Sequence, residues 1–258
     1  MPFVDVSEES VYFTLSGDAP GPALLAVHGS GGDHTHWPPE FRHLTQWAVY
    51  TIDLPGHGRS SGCGRERVEA YADFVEELVA ALQRRRVIAV GHSLGGAIVQ
   101  ELALRSPAWM CAAVLVGTGA RLKVSPDIFE VLKRDPHAAV DRICDRAFGP
   151  AASAAMIDAG RRGLLATQRT VMVGDFCACN RFDIMDRVAA IRLPTLIVSG
   201  DSDRLTPPRY GEFLQSHIPG ADHVILKQTG HMLMLERPRA FVEAVTAFLD
   251  KLAGDGRC

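Results

Sequence analysis

One serine of this chain lies in a setting that is typical of a nucleophile. Ser93 occurs in Gly91-His92-Ser93-Leu94-Gly95-Gly96, directly after an apolar run that ends at Gly91. A strand, a sharp turn and a helix in this order make G-x-S-x-G a nucleophile elbow. The backbone at the tip of such a turn is strained, and small residues flank it because bulky ones would collide with the adjoining strand or helix. The pattern predicts covalent catalysis by Ser93.

Two further groups of polar residues follow predicted strands. Asp201 and Asp203 come after the strand 195–199, and His231 comes after the strand Asp222–Leu226. Open parallel sheets bind ligands at the carboxyl ends of their strands, so these side chains are expected near the candidate nucleophile. A histidine there accepts the serine proton, and a carboxylate orients the imidazole. The order serine, aspartate, histidine is that of the α/β-hydrolase triad, with either aspartate as the acid.

The elements that must position these residues alternate along the chain. Short apolar runs separated by helix-like segments are typical of a mostly parallel sheet that is covered by helices. Eight runs are predicted as strands: 3–7, 11–17, Ala23–Val27, 48–53, 87–91, 112–116, 195–199 and Asp222–Leu226. Apolar residues at three- and four-residue steps and helix-stop signals predict helices over 68–84, 94–105 and 238–252.

This alternation breaks between residues 118 and 187. The region contains helix-like fragments at 128–133, 137–148 and 153–162. A connection of this length usually has a lid or binding role. We therefore predict a helical cap over 118–187, inserted between two parts of an α/β core at 1–117 and 188–258.

Composition and charge narrow the class of protein. The chain has 258 residues, 47% of them hydrophobic, and a net charge of −3. This charge gives no electrostatic argument for a nucleic acid or a membrane as partner. The N-terminus lacks a basic stretch followed by an apolar run, so no signal peptide is predicted. Together with six scattered cysteines, this favours reduced thiols and a cytoplasmic location.

Five motifs carry a resemblance to the α/β-hydrolase superfamily over nearly the whole chain. In chain order they resemble its oxyanion loop, the turn after the next strand, the elbow, the acid loop and the histidine loop, at residues 28–32, 53–60, 91–96, 200–203 and 230–231. The chain is most similar to the capped carboxylesterase group, which includes pimeloyl-ACP methyl ester esterases, C–C bond hydrolases and cofactor-free haloperoxidases. The resemblance implies an eight-stranded, mostly parallel sheet that is flanked by helices and carries the helical cap.

The resemblance also implies roles for individual residues. Ser93, Asp203 and His231 are expected to form the triad, because Asp203 is the fourth residue of G-x-x-D, where the family places its acid. Asp201 is the alternative. The backbone N–H groups of Ser30 and Leu94 are expected to form the oxyanion hole. No cofactor is implied, and His34-Thr35-His36 lacks further ligands at metal-binding spacing, so no metal site is predicted.

The expected substrate is a small-molecule ester or thioester of a small to medium acyl group. Apolar residues of the cap and the oxyanion loop are candidates for the substrate pocket: Trp37, Phe129, Leu132, Phe148 and Met156. Cationic residues of the cap, such as Arg142 and Arg146, are expected on solvated helix faces or, alternatively, near a substrate carboxylate or a carrier-linked acyl group. Two other functions stay open: a C–C hydrolase of vinylogous diketones, and a triad-bearing ligand receptor with slow turnover.

Overall fold

The computed structural model describes residues 2–17, 19–44 and 46–254. These residues form one eight-stranded sheet in the order β1-β2-β4-β3-β5-β6-β7-β8. The strands are β1 (Phe3–Val6), β2 (Glu9–Ser16), β3 (Ala23–Val27), β4 (Ala48–Ile52), β5 (Val87–His92), β6 (Met110–Val116), β7 (Thr195–Gly200) and β8 (Asp222–Leu226). All eight predicted strands are confirmed, and their ends differ from the prediction by at most two residues.

The sheet is mostly parallel. Strand β2 pairs antiparallel with β1 and β4, and all the other pairs are parallel. The parallel strands therefore end at the same edge of the sheet. Ser93 follows β5, Asp203 follows β7 and His231 follows β8. The topology thus brings the three candidate catalytic residues to one edge.

Helices flank this sheet. The described residues form α1 (Pro39–Arg42), α2 (Val68–Ala81), α3 (Leu94–Arg105), α4 (Pro126–Arg134), α5 (Pro136–Ala147), α6 (Ala154–Ala166), α7 (Arg169–Arg181), α8 (Pro208–His217), α9 (Leu233–Glu236) and α10 (Pro238–Gly254). Helix α2 ends earlier than predicted, and Gln83 just beyond it has a left-handed φ of 55°. Within the described ranges, no helix is both long enough and apolar enough to cross a membrane.

Both faces of the sheet are buried. Along β5, Val87 and Ala89 pack into one hydrophobic cluster, whereas Ile88 and Val90 pack into another. Successive side chains of a strand point to opposite faces, so the two clusters lie on the two sides of the sheet. The first cluster includes residues of α2 and α3, and the second includes residues of α10. This burial explains why β3 to β7 read as nearly continuous apolar runs.

The four helices α4 to α7 lie between β6 and β7, within residues 118–187, which we call the helical segment. Three of them correspond to the predicted fragments, but α7 was not predicted. The buried positions of α7 include Gly174, Asp175 and Cys179, beside apolar residues such as Val171. Because a glycine and an acid occupy part of its inner face, α7 lacks a clear amphipathic pattern.

The described cysteines agree only in part with the expectation of reduced thiols. Among residues 2–254, the free thiols are those of Cys63, Cys144, Cys177 and Cys179. Cys111, in contrast, is disulfide-bonded. Scattered spacing along the sequence does not reveal which thiols meet in the fold.

Candidate active site

Ser93 lies at a sharp turn between β5 and α3. Its backbone has φ 54° and ψ −114°, a conformation that residues other than glycine rarely adopt. The surrounding chain holds it there: its N–H donates to the carbonyl of Val116 at 3.0 Å, and its carbonyl accepts from Thr118 Oγ1 at 2.9 Å. The predicted strained turn is therefore present at the carboxyl end of the central strand.

The glycines of this turn are required by sterics. A Cβ at Gly91 would collide with the backbone of Gly95, at the start of α3. A Cβ at Gly95 would collide in turn with the carbonyl of Val27, at the end of β3. Strand and helix thus approach so closely that only glycine fits at these positions, which explains the G-x-S-x-G spacing.

His231 is hydrogen-bonded to Asp203. Nδ1 of His231 lies 2.8 Å from Oδ2 of Asp203, and both side chains are buried. The other carboxylate oxygen, Oδ1, accepts from the backbone N–H groups of Leu205 and Thr206 at 2.8 and 2.9 Å. Burial by itself raises the pKa of Asp203, but His231 and the hydrogen bonds from Thr206 outweigh it and hold the pKa below its usual value. Asp203 is accordingly ionised at neutral pH.

The alternative acid lies elsewhere. Asp201 is exposed, and its carboxylate accepts from Ser202 Oγ at 2.9 Å and from the N–H of Thr229 at 3.3 Å. The geometry therefore brings Asp203, and not Asp201, to the imidazole.

The histidine loop is fixed by two neighbours, His92 and Glu236, and sequence reasoning missed the second of them. His92 donates through Nε2 to the carbonyl of His231 at 3.0 Å, and burial holds the pKa of His92 far below its usual value, so this imidazole is neutral. Glu236 Oε2 accepts from the N–H groups of Gly230 and Gly149, each at 3.0 Å. Gly149 belongs to the helical segment, so Glu236 joins that segment to the histidine loop. Glu236 lies five residues after His231, and no motif marks it.

Ser93 and His231 line one cavity of about 240 Å³. Its walls come from the oxyanion loop, the acid and histidine loops and the helical segment, and they are largely apolar. Residues of the helical segment that line it include Leu122, Ile128, Ile143, Phe148, Leu164 and Phe176. A nucleophile and a base that open onto one apolar cavity are suited to acyl transfer on a bound organic substrate.

The predicted pocket residues divide into two groups. Phe148 lines the cavity, but Trp37, Phe129, Leu132 and Met156 lie outside its lining. Trp37 is completely buried in the core, with its ring 5.2 Å from that of Phe41, and Leu132 is buried as well. Phe129 packs against Phe176, which itself faces the cavity. These four side chains pack against other protein groups, since burial of apolar side chains stabilises the fold.

The two predicted oxyanion donors lie beside the elbow. Ser30 lines the cavity, and Leu94 is the first residue of α3. Within the part of the chain that the structure describes, neither N–H donates to a protein acceptor. Of these two residues only Ser30 belongs to the lining of the cavity, whereas Leu94 is completely buried beside Ser93. A helix N-terminus at Leu94 adds its dipole to the same region.

Cationic side chains lie around the cavity. Four lysine and arginine residues belong to its lining, which includes no carboxylate among the described residues: Lys123, Arg142, Arg146 and Arg204. All four are exposed at the surface. Arg142 forms an ion pair with Asp127 at 3.2 Å. The cavity therefore combines an apolar wall with a positively charged rim, in a chain whose net charge is −3.

One group of residues has the composition of a metal site but is engaged otherwise. Ligand atoms of Asp33, His34 and Asp53 lie within 4.8 Å of one another. The Asp53 carboxylate already accepts from the N–H and Nδ1 of His34 and from the N–H of Arg59, at 2.6 to 2.8 Å. This arrangement stabilises two loops by hydrogen bonds to a buried acid, as expected for a turn aspartate.

Comparison with known proteins places the chain in a family. The model of the alpha/beta hydrolase family matches residues 24–244, so the chain belongs to that family. A solved structure described as a thermophilic esterase superposes with a TM-score of 0.86 and 37% sequence identity, covering 97% of each chain.

Curated relatives differ in the bond that their names specify. A pimeloyl-[acyl-carrier protein] methyl ester esterase of Nitrosomonas europaea is 26% identical over 92% of this chain and 99% of its own. A putative carbamate hydrolase of Rhizobium rhizogenes is 29% identical over 88% of this chain and 92% of its own. The comparisons thus define a hydrolase with esterase-type relatives.

Proposed function

We propose that this protein is a serine hydrolase that cleaves carboxylic esters or thioesters of small to medium acyl groups through an acyl-enzyme. The observation that carries the proposal is the hydrogen bond from His231 to the buried Asp203, with His231 opening onto the same cavity as the strained Ser93. The similarity to an esterase supports the same class of bond.

The mechanism begins with attack by Ser93 Oγ on the acyl carbonyl. Nε2 of His231 accepts the hydroxyl proton, and Asp203 stabilises the resulting imidazolium through Nδ1–H. The N–H groups of Ser30 and Leu94 donate to the oxyanion of the tetrahedral intermediate; removing one such donor typically costs about 2.7–4 kcal/mol of barrier. The intermediate then collapses, and the leaving alcohol or thiol takes the proton from His231.

Hydrolysis of the acyl-enzyme repeats these steps with water. His231 removes a proton from the water as it attacks the acyl carbonyl, and the same two amides hold the second oxyanion. Return of the proton to Ser93 Oγ releases the carboxylic acid. The helical segment acts as the cap in this proposal, because it supplies most of the apolar wall that would surround the acyl group.

The test is hydrolysis of p-nitrophenyl acetate and butyrate by the wild type, Ser93→Ala and Ser216→Ala. Ser216 is an exposed serine of α8 outside the lining of the cavity and serves as the matched control. We expect turnover that Ser93→Ala abolishes and Ser216→Ala preserves. A fluorophosphonate probe should label residue 93, identified by peptide mass spectrometry. Turnover that survives Ser93→Ala would contradict the proposal.

Measurements of ester binding and of diketone cleavage, added to this assay, distinguish the two other functions. A wild type that binds esters but turns them over no faster than Ser93→Ala would favour a receptor. Faster cleavage of a vinylogous diketone than of any ester or thioester would favour a C–C hydrolase.

A further inference from the structure

The residue after Ser30 is held by the helical segment on both of its backbone groups. The N–H of Gly31 donates to Asp175 Oδ2 at 2.8 Å, and its carbonyl accepts from Thr167 Oγ1 at 2.8 Å. Gly31 has a left-handed φ of 66°, and a Cβ there would press on Leu164 of the same segment. The oxyanion loop, residues 28–32, is therefore shaped by contacts from outside the α/β core.

Asp175 is the centre of this contact. It lies on α7, is completely buried, and also accepts from Tyr71 Oη at 2.6 Å and from His57 Nε2 at 2.9 Å. Tyr71 belongs to α2, and His57 lies in the loop after β4. One carboxylate of the helical segment thus collects hydrogen bonds from three separate parts of the core.

Burying such a carboxylate is costly unless its oxygens are fully hydrogen-bonded. Here the donors satisfy both oxygens, so the arrangement is stable only while α7 stays docked on the core. If α7 moves away, Gly31 loses its N–H acceptor, and Thr167 releases the carbonyl on the other side. The peptide groups on both sides of Gly31 are then no longer fixed, so the loop can shift at Ser30, whose N–H lies in the preceding Gly29–Ser30 peptide.

We propose that Asp175 is a positioning residue, which aims the N–H of Ser30 into the cavity by holding Gly31. This inference rests on the proposed function, because it assigns Ser30 to the oxyanion hole. Docking of the helical segment then completes the catalytic apparatus in addition to enclosing substrate. A displacement of about 1 Å in such a group is enough to cost about 10²-fold in rate.

The test compares three substitutions at the clamp, meaning Asp175, Thr167 and their contacts with Gly31. Asp175→Asn keeps an acceptor oxygen for Gly31, Asp175→Leu keeps the size but no acceptor, and Thr167→Val removes only the second contact. Val140→Ala, a cavity-forming change in α5 of the same segment, controls for general loss of stability. The readouts are kcat and KM for p-nitrophenyl butyrate, and the Kd of an alkyl trifluoromethyl ketone that forms an oxyanion on Ser93.

We expect Asp175→Leu to lower kcat about 10- to 100-fold with little change in KM. The Kd of the ketone should rise by a similar factor. Asp175→Asn should retain more of the kcat and of the ketone affinity than Asp175→Leu does. Thr167→Val should lower both quantities a fewfold. Val140→Ala should lower the unfolding temperature with kcat and ketone affinity within twofold of the wild type. If Asp175→Leu does not fold, Thr167→Val, whose side chain is half-buried, carries the test.

Hydrogen exchange of peptides that cover residues 28–32 keeps the inference separate from ester turnover. Loss of protection in Asp175→Leu or Thr167→Val, but not in Val140→Ala, is expected. Unchanged protection would overturn the clamp whatever the activity. Lost protection with unchanged ketone affinity would overturn the link to the oxyanion hole. A wild type without ester turnover would instead defeat the proposed function, and the exchange data would still decide whether Asp175 holds the loop.

Discussion

Oδ2 of Asp203 lies 2.8 Å from Nδ1 of His231 and also accepts from Thr206 Oγ1 at 2.7 Å. Since backbone amides hold the other oxygen, the carboxylate has one orientation, and the imidazole follows it. A proton on Nδ1 leaves Nε2 as the acceptor nitrogen of a neutral ring. This relationship makes several consequences measurable.

Asp203→Asn should lower kcat for p-nitrophenyl butyrate by about 10³–10⁴-fold, because an amide favours the wrong imidazole tautomer and does not stabilise the imidazolium. Asp201→Asn is the matched control in the same loop, and its activity should stay within twofold of the wild type. Equal losses in the two variants would show that the acid has been assigned wrongly.

Ser93→Ala and His231→Ala should each reduce kcat by several orders of magnitude, and the double variant should lose little more. The reason is that nucleophile and base act as a unit, so removing one leaves the other without a role. Steady-state kinetics on the three purified variants measures this. Losses that multiply in the double variant would contradict a coupled pair.

Ser93→Gly should be more stable than Ser93→Ala by about 1 kcal/mol. Both variants lack the hydroxyl, but the backbone at residue 93 has φ 54°, which glycine adopts without the strain that a Cβ imposes. The larger entropy of glycine in the unfolded chain offsets part of this gain. Urea unfolding of both variants provides the comparison, and a less stable glycine variant would argue against strain at the elbow.

Esters with a terminal carboxylate should be preferred over their neutral methyl-ester analogues at low ionic strength. The cavity rim carries Arg146 and Arg204, so Arg146→Gln and Arg204→Gln should each raise KM for the anionic ester about two- to fivefold. Added salt should weaken the preference by screening. Arg162→Gln is the control, since Arg162 is an exposed arginine of the helical segment outside the lining. An identical effect of Arg162→Gln would mean that the general surface charge is responsible.

The buried pair of His57 and Asp175 should make stability depend on pH. Burial alone lowers the pKa of His57, but the adjacent Asp175 carboxylate outweighs it and raises that pKa above its usual value. The folded protein then binds a proton that the unfolded chain releases near pH 6.5, so the stabilisation is complete below about pH 6.5 and declines as pH rises through the raised pKa. Urea unfolding of the wild type and His57→Gln across pH 5.5–8.5 measures this effect. The difference between their free energies of unfolding should shrink with increasing pH. A constant or growing difference would contradict this sign.

Local patterns were sufficient for the sheet and for the residues at its carboxyl edge. The apolar runs located all eight strands, and the signal is continuous in β3 to β7 because these strands are buried on both faces. Helix α7 lacked such a signal because Asp175 and Gly174 occupy its buried face, so its contact with the oxyanion loop was invisible before folding. Trp37 illustrates the opposite error: an aromatic residue near the oxyanion loop is indistinguishable in sequence from one packed in the core.

The amino-acid sequence by itself determined the strand order in the chain, the sterically required glycines of the elbow and the identities of the candidate nucleophile and base, with two aspartates as candidates for the acid. These features depend on interactions between residues that are close in the chain and on the periodicity of apolar residues, and both can be recognised in short stretches of sequence. Only the tertiary structure decided which aspartate meets His231, which apolar side chains face the cavity and which residue holds Gly31. Those outcomes depend on distances between residues that are far apart in the chain, and such distances are set by packing of the whole molecule.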